Sequence, residues 1–371
     1  MERVEHQAGP EGESGELHRV RAPDGRTLAV IALDAPELGP GIGGCRMRPY
    51  PDLAAAVADA RALARAMTTK VLLAGLPFSG AKAVVPGDPR TDKSPALWEA
   101  LGAAIERLGG RYWTGEDSGT TPADMDLLAR SCRFVLGCSR GAGDLGPMTA
   151  EGVFRAIRAA ARARFGTGDL AGLTVAIQGL GAVGMPLAER LAAAGARLLV
   201  ADLDPDKLAR AVARLGARPV APARLLETPA EVVAPCAFGP VLDAAVAERL
   251  RCAVIAGAAN NQLAAAEIAL RLHARGILYL PDYLVNAGGV IAAAAELEPG
   301  GYRRERVDAR LGLLEARVER VLAEAAATGR PPLLVTEALA AQLRAHRLAA
   351  TGRRGRAKAR YPTEAEPASL S

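Results

Sequence analysis

The chain has 371 residues, of which 50% are hydrophobic, 4% aromatic and 23% charged, and its net charge is +5. That length suits two domains of ordinary size, with a core built mainly from alanine, leucine and valine. No apolar run is long enough to cross a bilayer, and the first residues lack the apolar segment of a signal peptide. Neither a membrane protein nor a secreted one is therefore expected.

The positive charge lies near the end of the chain. The stretch Arg353 to Arg360 holds five basic residues and no acidic one, and the rest of the chain is electrically balanced. We expect residues 351–371 to form a solvated, disordered basic tail, with weak binding to a polyanion as the alternative. The body of the protein gives no reason to expect a nucleic-acid partner.

Neither the cysteines nor the histidines form a recognisable site. The four histidines stand apart from glycine-rich and acidic motifs, so acid–base chemistry based on histidine is not expected. A reduced, cytoplasmic protein with buried thiols and no metal site is predicted. The five cysteines, none at metal-ligand spacing, are Cys45, Cys132, Cys138, Cys236 and Cys252.

Helices dominate the first part of the chain. Leu53–Met67 is rich in alanine and leucine and predicts a helix. A second helix is predicted from Pro95, with Ser94 as its cap and Gly109 as its end, and a third begins after Thr121. Between the first two, the stretch KAVVPGDP predicts a short strand that ends in a turn.

Strands alternate with helices in the second part, which predicts a parallel sheet covered on both faces. The predicted strands are Leu173–Gly179, Arg197–Asp204, Cys252–Ala259 and Ile277–Gly289. Two long helices near Arg303–Thr328 and Val335–Ala349 are predicted to close the chain. We place the junction between the two domains near a helix that starts at Pro147.

Gly179, Gly181 and Gly184 form a G-x-G-x-x-G motif between a predicted strand and a predicted helix. The first glycine permits the tight turn, the second lets the backbone approach a pyrophosphate, and the third lets the helix pack on the strand. Asp202 ends the next strand, 23 positions after Gly179, where a carboxylate binds ribose hydroxyls and repels a 2′-phosphate. The pattern predicts NAD rather than NADP; Asp204 is a second candidate, although a helix cap before Pro205 is its simpler role.

Two lysines and an aspartate suggest chemistry on an amino acid. Lys70 and Lys82 are 12 positions apart, and Asp117 follows in GRYWTGEDSGT. One lysine would pair with a substrate carboxylate, and the other, kept neutral by burial, would act through water on the reacting carbon. The aspartate would carry the proton of the amine. From these residues alone, ordinary surface lysines remain the simpler alternative.

The chain resembles the glutamate/leucine/phenylalanine/valine dehydrogenase family, and within it the leucine and phenylalanine branch. The resemblance runs from about Gly41 to Leu348, with the motifs in the family's order and at its spacing. The motifs that carry it are GGCRM, MTTK, AGLPFSGAKAVVPGDP, GRYWTGEDSGT, DM, TAEGV, QGLGAVG, APCA, GAANNQL and PDYLVNAGGVI.

This resemblance implies a two-domain α/β fold and an activity. An N-terminal substrate domain (1–146) would precede a Rossmann-type NAD domain (147–328), and a final helix (329–350) would return to the first domain. The activity would be the reversible oxidative deamination of an L-amino acid to a 2-oxo acid and ammonia, with hydride passing to NAD. A homo-oligomer is also expected.

The resemblance also assigns roles to single residues. Lys82 matches the catalytic lysine, Asp117 the acid that handles the amine proton, and Lys70 the lysine that binds the substrate carboxylate. The other positions matched to substrate binding are Gly43, Gly44, Asn286 and the side-chain pocket formed by Ile42, Gly115, Val290 and Ala293. Beside the three glycines and Asp202, the positions matched to cofactor binding are Thr149, Val183, Ala258, Asn260 and Asn261.

Some positions depart from the family pattern. Ser79 replaces a glycine before Lys82, which would strain the loop by ~1 kcal/mol if that position needs a positive φ. Thr69 and Val71 also differ from the family. These changes leave open a catalytically weakened, NAD-binding relative with a regulatory or assembly role. A reductive aminase, which runs the same reaction backward, is a third reading.

The side-chain pocket predicts the substrate class. Ile42 is apolar, which argues against glutamate. Gly115 and Ala293 stand where the leucine-type pattern has alanine and valine, so the pocket is expected to be wider. A wider apolar pocket favours an aromatic side chain ahead of a branched one, because each buried CH₂ contributes about 0.8 kcal/mol. Leu136 could fill the added space and restore the branched-chain preference.

Overall fold

The computed structural model describes residues 4–8, 15–139, 141–237, 239 and 241–353. The chain forms two α/β domains, each built around its own sheet. Within the described residues, no helix combines the length and apolar character needed to cross a membrane.

The first sheet is mixed and has seven strands. Its order is β1-β2-β3-β6-β4-β7, with β5 beside β6. The first three strands and β6 run antiparallel to one another, whereas β4 and β5 run parallel to β6. The strands are β1 (Val4–Ala8), β2 (Gly15–Arg21), β3 (Thr27–Asp34), β4 (Gly41–Ile42), β5 (Cys45–Arg48), β6 (Ser79–Pro86) and β7 (Tyr112–Trp113).

Three helices cover this sheet: α1 (Leu53–Leu73), α2 (Pro95–Glu106) and α3 (Pro122–Leu128). All three predicted helices are confirmed, and their caps explain where they begin. Ser94 Oγ accepts a hydrogen bond from the Leu97 amide, and Thr121 forms a reciprocal capping box with Asp124. The first helix runs two turns beyond its prediction and therefore includes Lys70.

The second sheet is wholly parallel and has the order β10-β9-β8-β11-β12-β13. The order reverses between β8 and β11, and in such sheets ligands bind at this switch point, beyond the carboxyl ends of the strands. The strands are β8 (Thr174–Gln178), β9 (Arg197–Ala201), β10 (Arg218–Pro219), β11 (Val232–Pro235), β12 (Val254–Ile255) and β13 (Leu278–Tyr279).

The remaining helices flank the second sheet and return to the first. They are α4 (Gly146–Phe165), α5 (Gly184–Ala193), α6 (Pro205–Leu215), α7 (Ala244–Arg249), α8 (Glu267–Ala274), α9 (Asp282–Val285), α10 (Gly288–Ala295), α11 (Arg304–Thr328) and α12 (Pro332–Arg353). Short 3₁₀ turns span Pro36–Leu38 and Pro222–Glu227. The predicted tail beyond Arg353 lies outside the described residues.

The last helix packs on the first domain. It contacts α1 and the 3₁₀ turn at Pro36–Leu38. Arg347 donates hydrogen bonds to the carbonyl oxygens of Leu76 and Phe78, at 2.6 and 2.7 Å. The guanidinium of Arg317, on α11, likewise reaches the carbonyl oxygen of Leu73 at the end of α1. The segment between Lys70 and Lys82 is thus held by arginines from the C-terminal helices.

Two predicted strands are wrong over most of their length. Cys252–Ala259 forms strand only at Val254–Ile255, and Ile277–Gly289 forms strand only at Leu278–Tyr279 before turning into α9 and α10. A short apolar run does not distinguish a buried strand from a buried helix. Here Pro281 ends the sheet pairing, because its nitrogen has no hydrogen to donate to a neighbouring strand.

Candidate active site

Lys82 and Asp117 form a buried ion pair in the first domain. Lys82 lies in the middle of β6, and Asp117 lies in the loop after β7. Nζ of Lys82 is 2.7 Å from Oδ2 of Asp117, and the two side chains are 6% and 14% exposed. The backbone amide of Asp117 donates to Thr120 Oγ1, whose hydroxyl reaches the Cys45 carbonyl. The turn that presents the carboxylate is therefore tied to β5.

Arg46 is a charged residue that the sequence analysis did not single out. It lies in β5, and its side chain is 8% exposed. Its Nε donates to the same Oδ2 of Asp117 at 3.0 Å, and its Nη1 lies 3.4 Å from Oδ2 of Asp59. The hydroxyl of Tyr50 donates to that Asp59 oxygen at 2.5 Å. Its position in the GGCRM motif was the only sequence signal that could have identified it.

In this cluster, burial and the neighbouring charges shift the pKa of each group in opposite directions. Burial lowers the pKa of Lys82, although the Asp117 carboxylate raises it. Burial alone would raise the pKa of Asp117, but Lys82 and Arg46 together hold it well below its usual range. Asp117 is therefore a carboxylate at neutral pH, and Lys82 is the group whose proton can be lost.

Lys70 is a second lysine with a lowered pKa. Burial reduces the pKa of Lys70 to about 8, while the nearby carboxylate of Asp282 raises it. Lys70 lies near the end of α1, and Asp282 begins α9, which packs against α1. Asp282 belongs to the second domain and is not among the residues predicted from the sequence.

Asp282 also fixes part of the second domain. Its Oδ2 accepts a hydrogen bond from the Asn261 amide at 2.9 Å. Asn261 has φ 53°, in the left-handed region that non-glycine residues seldom adopt. One carboxylate therefore supports the strained loop of Asn260 and Asn261 and acts electrostatically on Lys70. This is the observed link between the predicted cofactor loop and the predicted substrate lysine.

Gly43 and Gly44 are required by close backbone packing. A Cβ atom on Gly43 would lie 1.8 Å from the Ala81 carbonyl oxygen, and one on Gly44 would lie 2.8 Å from Cβ of Asp117. No side chain fits at either position without displacing β6 or the Asp117 loop. These glycines bring β6 and Asp117 together.

The small residues before Lys82 serve packing of the same kind. A Cβ atom on Gly80 would lie 2.1 Å from the Ala64 carbonyl oxygen and 2.3 Å from the Thr68 amide, so α1 lies directly on β6 at this point. Ser79 has no positive φ, and its hydroxyl donates to the Gly39 carbonyl at 2.9 Å. The expected strain at Ser79 is therefore absent, because the residue lies in an ordinary extended strand.

The three glycines after β8 meet three different environments. Gly179 has φ 90°, which permits the tight turn, and a Cβ atom on Gly184 would lie 1.9 Å from the Gly179 carbonyl oxygen. Around Gly181, no heavy atom lies within 4 Å of such a Cβ atom, so a ligand can approach the backbone there. Val183 precedes α5, whose N-terminus faces the same turn.

Asp202 stands beside this turn, directly after β9. Its Oδ2 accepts from the Leu180 amide at 2.6 Å, and its Oδ1 accepts from the Asp204 amide at 2.9 Å. These bonds fix the carboxylate at the edge of the glycine turn, while each oxygen keeps further accepting capacity. Asp204 instead caps α6, since its Oδ1 accepts from the Asp206 and Lys207 amides.

Asn286 has one buried atom that lacks a partner. Its Nδ2 donates to the Ala258 carbonyl at 3.1 Å and to Asn260 Oδ1 at 3.2 Å. Its Oδ1 is buried and has no hydrogen-bond partner among the described residues. Such an acceptor costs free energy unless a ligand pairs with it. This orphaned oxygen fits a nicotinamide amide or a substrate ammonium group.

Thr149 lies close to this region, in the first turn of α4. Its hydroxyl donates to the Leu145 carbonyl, and a Cβ atom on Gly289 would lie 2.7 Å from its Oγ1.

In the described part of the chain, no three His, Cys, Asp or Glu side chains cluster as a metal ion would require. All five cysteines are free thiols.

The predicted side-chain pocket lies in an apolar cluster shared by both domains. Ile42 and Leu136 from the first domain pack with Ala293 from the second, and Val290 borders them. A Cβ atom on Gly115 would lie 3.3 Å from the Leu136 carbonyl oxygen. The methyl group missing from Gly115 would therefore face backbone rather than the interior of the pocket.

Comparisons with known proteins identify the family of the chain. Family models match residues 19–134 as a Glu/Leu/Phe/Val dehydrogenase dimerisation domain, and residues 206–354 as glutamate/leucine/phenylalanine/valine dehydrogenase. Leucine dehydrogenase from Bacillus subtilis is 43% identical over 84% of this chain and 86% of its own. Phenylalanine dehydrogenase from Bacillus thermotolerans is 41% identical over 77% of this chain and 76% of its own. The crystal structure of L-tryptophan dehydrogenase from Nostoc punctiforme matches with a TM-score of 0.74 and 32% identity, over 91% of this chain and 96% of that one.

The two-domain α/β fold and the matches to both family models define an oxidoreductase of the amino acid dehydrogenase class. Its first domain holds the buried pair of Lys82 and Asp117, and its second domain is built on the wholly parallel sheet. The chain belongs to the glutamate/leucine/phenylalanine/valine dehydrogenase family.

Proposed function

We propose that the protein catalyses the NAD-dependent oxidative deamination of an apolar L-amino acid, reversible as reductive amination. Amino acid, water and NAD⁺ give the 2-oxo acid, ammonium, NADH and a proton. The observation that carries the proposal is the buried pair of Lys82 and Asp117, with Lys70 on the adjoining helix. NAD⁺, when bound, supplies the hydride acceptor for the substrate α-carbon.

Each residue of the cluster has a separate task in this proposal. Lys70 pairs with the substrate carboxylate. Lys82, which burial pushes toward its neutral form, takes a proton from the water that adds to the α-carbon after loss of the hydride has made it an iminium carbon. Asp117, held as a carboxylate by its two cationic neighbours, receives and returns the proton of the amine. Ammonia then leaves, and the 2-oxo acid remains.

The turn around Gly181 and the carboxylate of Asp202 support NAD as the cofactor. The free space at Gly181 admits a pyrophosphate, and Asp202 keeps accepting capacity for ribose hydroxyls. A 2′-phosphate would meet this fixed negative charge. The unpartnered Oδ1 of Asn286 offers an acceptor on the nicotinamide side, next to Asn260 and Ala258.

The substrate side chain would lie in the apolar cluster of Ile42, Val290 and Ala293. Ala293 favours an aromatic substrate, because it has two methyl groups fewer than the valine of the leucine-type pattern and leaves more room. The buried Leu136 favours the branched-chain alternative, because it occupies space beside Gly115. The relatives include dehydrogenases named for aromatic amino acids and others named for branched-chain amino acids. An assay of NAD reduction with aromatic and branched-chain L-amino acids, run in both directions, discriminates between them.

Two further expectations accompany this function. A homo-oligomer is proposed, because residues 19–134 match a dimerisation domain. A reducing, cytoplasmic location suits five free thiols. The alternative of a weakened relative would show NADH binding without turnover in the same panel of amino acids.

A further inference from the structure

Arg46 and Lys82 compete for one oxygen atom. Both donate to Oδ2 of Asp117, Lys82 at 2.7 Å and Arg46 at 3.0 Å. The other end of the Arg46 guanidinium faces Asp59, 3.4 Å away on α1. Tyr50 donates to the same Asp59 oxygen, and the guanidinium of Arg48 lies 4.7 Å above the Tyr50 ring. Arg46 is therefore held between two carboxylates by contacts on both sides.

We propose that Arg46 is a positioning residue that shares the Asp117 carboxylate with Lys82, so that Lys82 can release its proton and act as a base. The inference rests on the function proposed above. Alone with Asp117 in a buried site, Lys82 would be stabilised as a cation. A second cation on the same oxygen weakens that stabilisation. Arginine suits this task because it does not deprotonate in proteins.

The remaining charges around Lys82 do not replace Arg46. The charged and titratable groups acting on Lys82 or Asp117 include Asp117 itself, Arg46, Cys45, Lys70 and Tyr112, with Glu116 adjacent in sequence; burial raises the pKa of the Tyr112 hydroxyl well above its usual value, so it is neutral. Burial raises the pKa of Cys45 to about 12, so that thiol carries no charge at neutral pH. Lys70 acts from α1 and is itself partly offset by Asp282. Among the described residues, Arg46 is the arginine in direct contact with the pair.

The test compares the pH dependence of kcat/KM for amino acid oxidation in the wild type, Arg46→Met and Arg46→Lys. Oxidation requires neutral Lys82, so kcat/KM rises with pH through the pKa of Lys82. Arg46→Met should raise that pKa and move the rising limb to higher pH by about one unit. Arg46→Lys keeps the positive charge, so its rising limb should lie close to that of the wild type. A role in folding alone would lower the rate without moving the limb.

Asp59→Asn should shift the rising limb of kcat/KM in the opposite direction to Arg46→Met. Removing the Asp59 charge leaves Arg46 to act more strongly on Asp117 and Lys82, so the limb should move to lower pH. Arg133→Gln, which breaks an exposed ion pair with Glu106, serves as the control and should leave the limb in place. If Arg46→Met fails to fold, Asp59→Asn and Arg46→Lys decide the question.

A second measurement separates this inference from the proposed function. An NMR titration of ¹³C-labelled lysine, with the Lys82 signal assigned from its loss in Lys82→Ala, reports the pKa of Lys82 without any turnover and without a reagent entering the buried site. Arg46→Met should raise the titration midpoint, and Asp59→Asn should lower it. Unchanged midpoints would overturn the role of Arg46 even in an active enzyme. A wild type that turns over no amino acid would instead reject the proposed function, while the midpoints still decide the role of Arg46.

Discussion

Nζ of Lys82 and Oδ2 of Asp117 lie 2.7 Å apart in a site that solvent barely reaches. The two residues come from a central strand and from a loop 35 positions later, and the packing of Gly43, Gly44 and Gly80 brings them together. An amine and a carboxylate in this contact can pass protons to a substrate, and that pairing is the basis of the first two predictions.

Replacing Lys82 with alanine should abolish the base. We expect kcat to fall by roughly 10²–10⁴-fold or more, because the loss of a positioned acid–base group has effects of that size. Binding of NADH, measured by fluorescence titration, should stay nearly unchanged, since the glycine turn belongs to the other domain. Lys93→Ala, which removes a different lysine–carboxylate pair, is the control and should retain turnover. Near-normal activity of Lys82→Ala would reject the mechanism.

Asp117→Asn keeps the shape of the side chain but removes its charge. Turnover should fall strongly, because an amide cannot accept the proton of the amine. The substitution also removes the charge that raises the pKa of Lys82, so this pKa should fall. The residual kcat/KM for oxidation should consequently reach its plateau at lower pH than in the wild type. A pH profile in which the limb is unshifted or moves upward would contradict the assigned charges.

Asp202→Ser tests the choice of cofactor. The wild type should prefer NAD to NADP by a large factor in kcat/KM, and the variant should narrow that gap, because the repulsion of a 2′-phosphate is lost. Asp204→Ser is the matched control, since Asp204 caps α6 instead of facing the turn. Its cofactor ratio should stay as in the wild type. Equal kcat/KM values for NAD and NADP in the wild type would show that Asp202 does not discriminate between the two riboses.

Ala293→Val tests the width of the side-chain pocket. If this wall sets specificity, the kcat/KM ratio of phenylalanine or tryptophan to leucine and valine should fall, since the valine methyl groups occupy the space of a larger substrate. Gly115→Ala should change the ratio little, because its methyl group would face the Leu136 carbonyl. A wild-type ratio well below one would establish the branched-chain alternative.

Gly80→Ala should destabilise the first domain. The added methyl group would lie 2.1 Å from the Ala64 carbonyl oxygen, so α1 must move away from β6. We expect the free energy of unfolding, measured by urea denaturation, to drop by about 1–3 kcal/mol. Gly312→Ala, on α11 with nothing within 4 Å, should instead be neutral or stabilising by up to about 1 kcal/mol. Equal stability of Gly80→Ala and the wild type would mean that the close helix–strand contact is not required.

Local chemistry made much of the fold predictable. The caps at Ser94 and Thr121, the alternation of strands and helices after residue 147, and the long closing helices were all visible because each depends on neighbours in the chain. The glycine motif could be interpreted for the same reason: a turn, a close approach and a helix start occur within six residues. The strands near Ile277 were mispredicted, since apolar runs satisfy a buried helix equally well.

The sequence by itself determined the types of group available for catalysis: two lysines, an aspartate and a dinucleotide motif. Only the tertiary structure decided how they act on one another. Coulombic coupling and desolvation depend on distances between side chains remote in sequence, as between Arg46 and Asp117 or Asp282 and Lys70. Whether Ser79 is strained likewise depends on its φ angle, which pairing within the sheet keeps in the extended range. Those distances and angles arise from packing, which no single stretch of the chain contains.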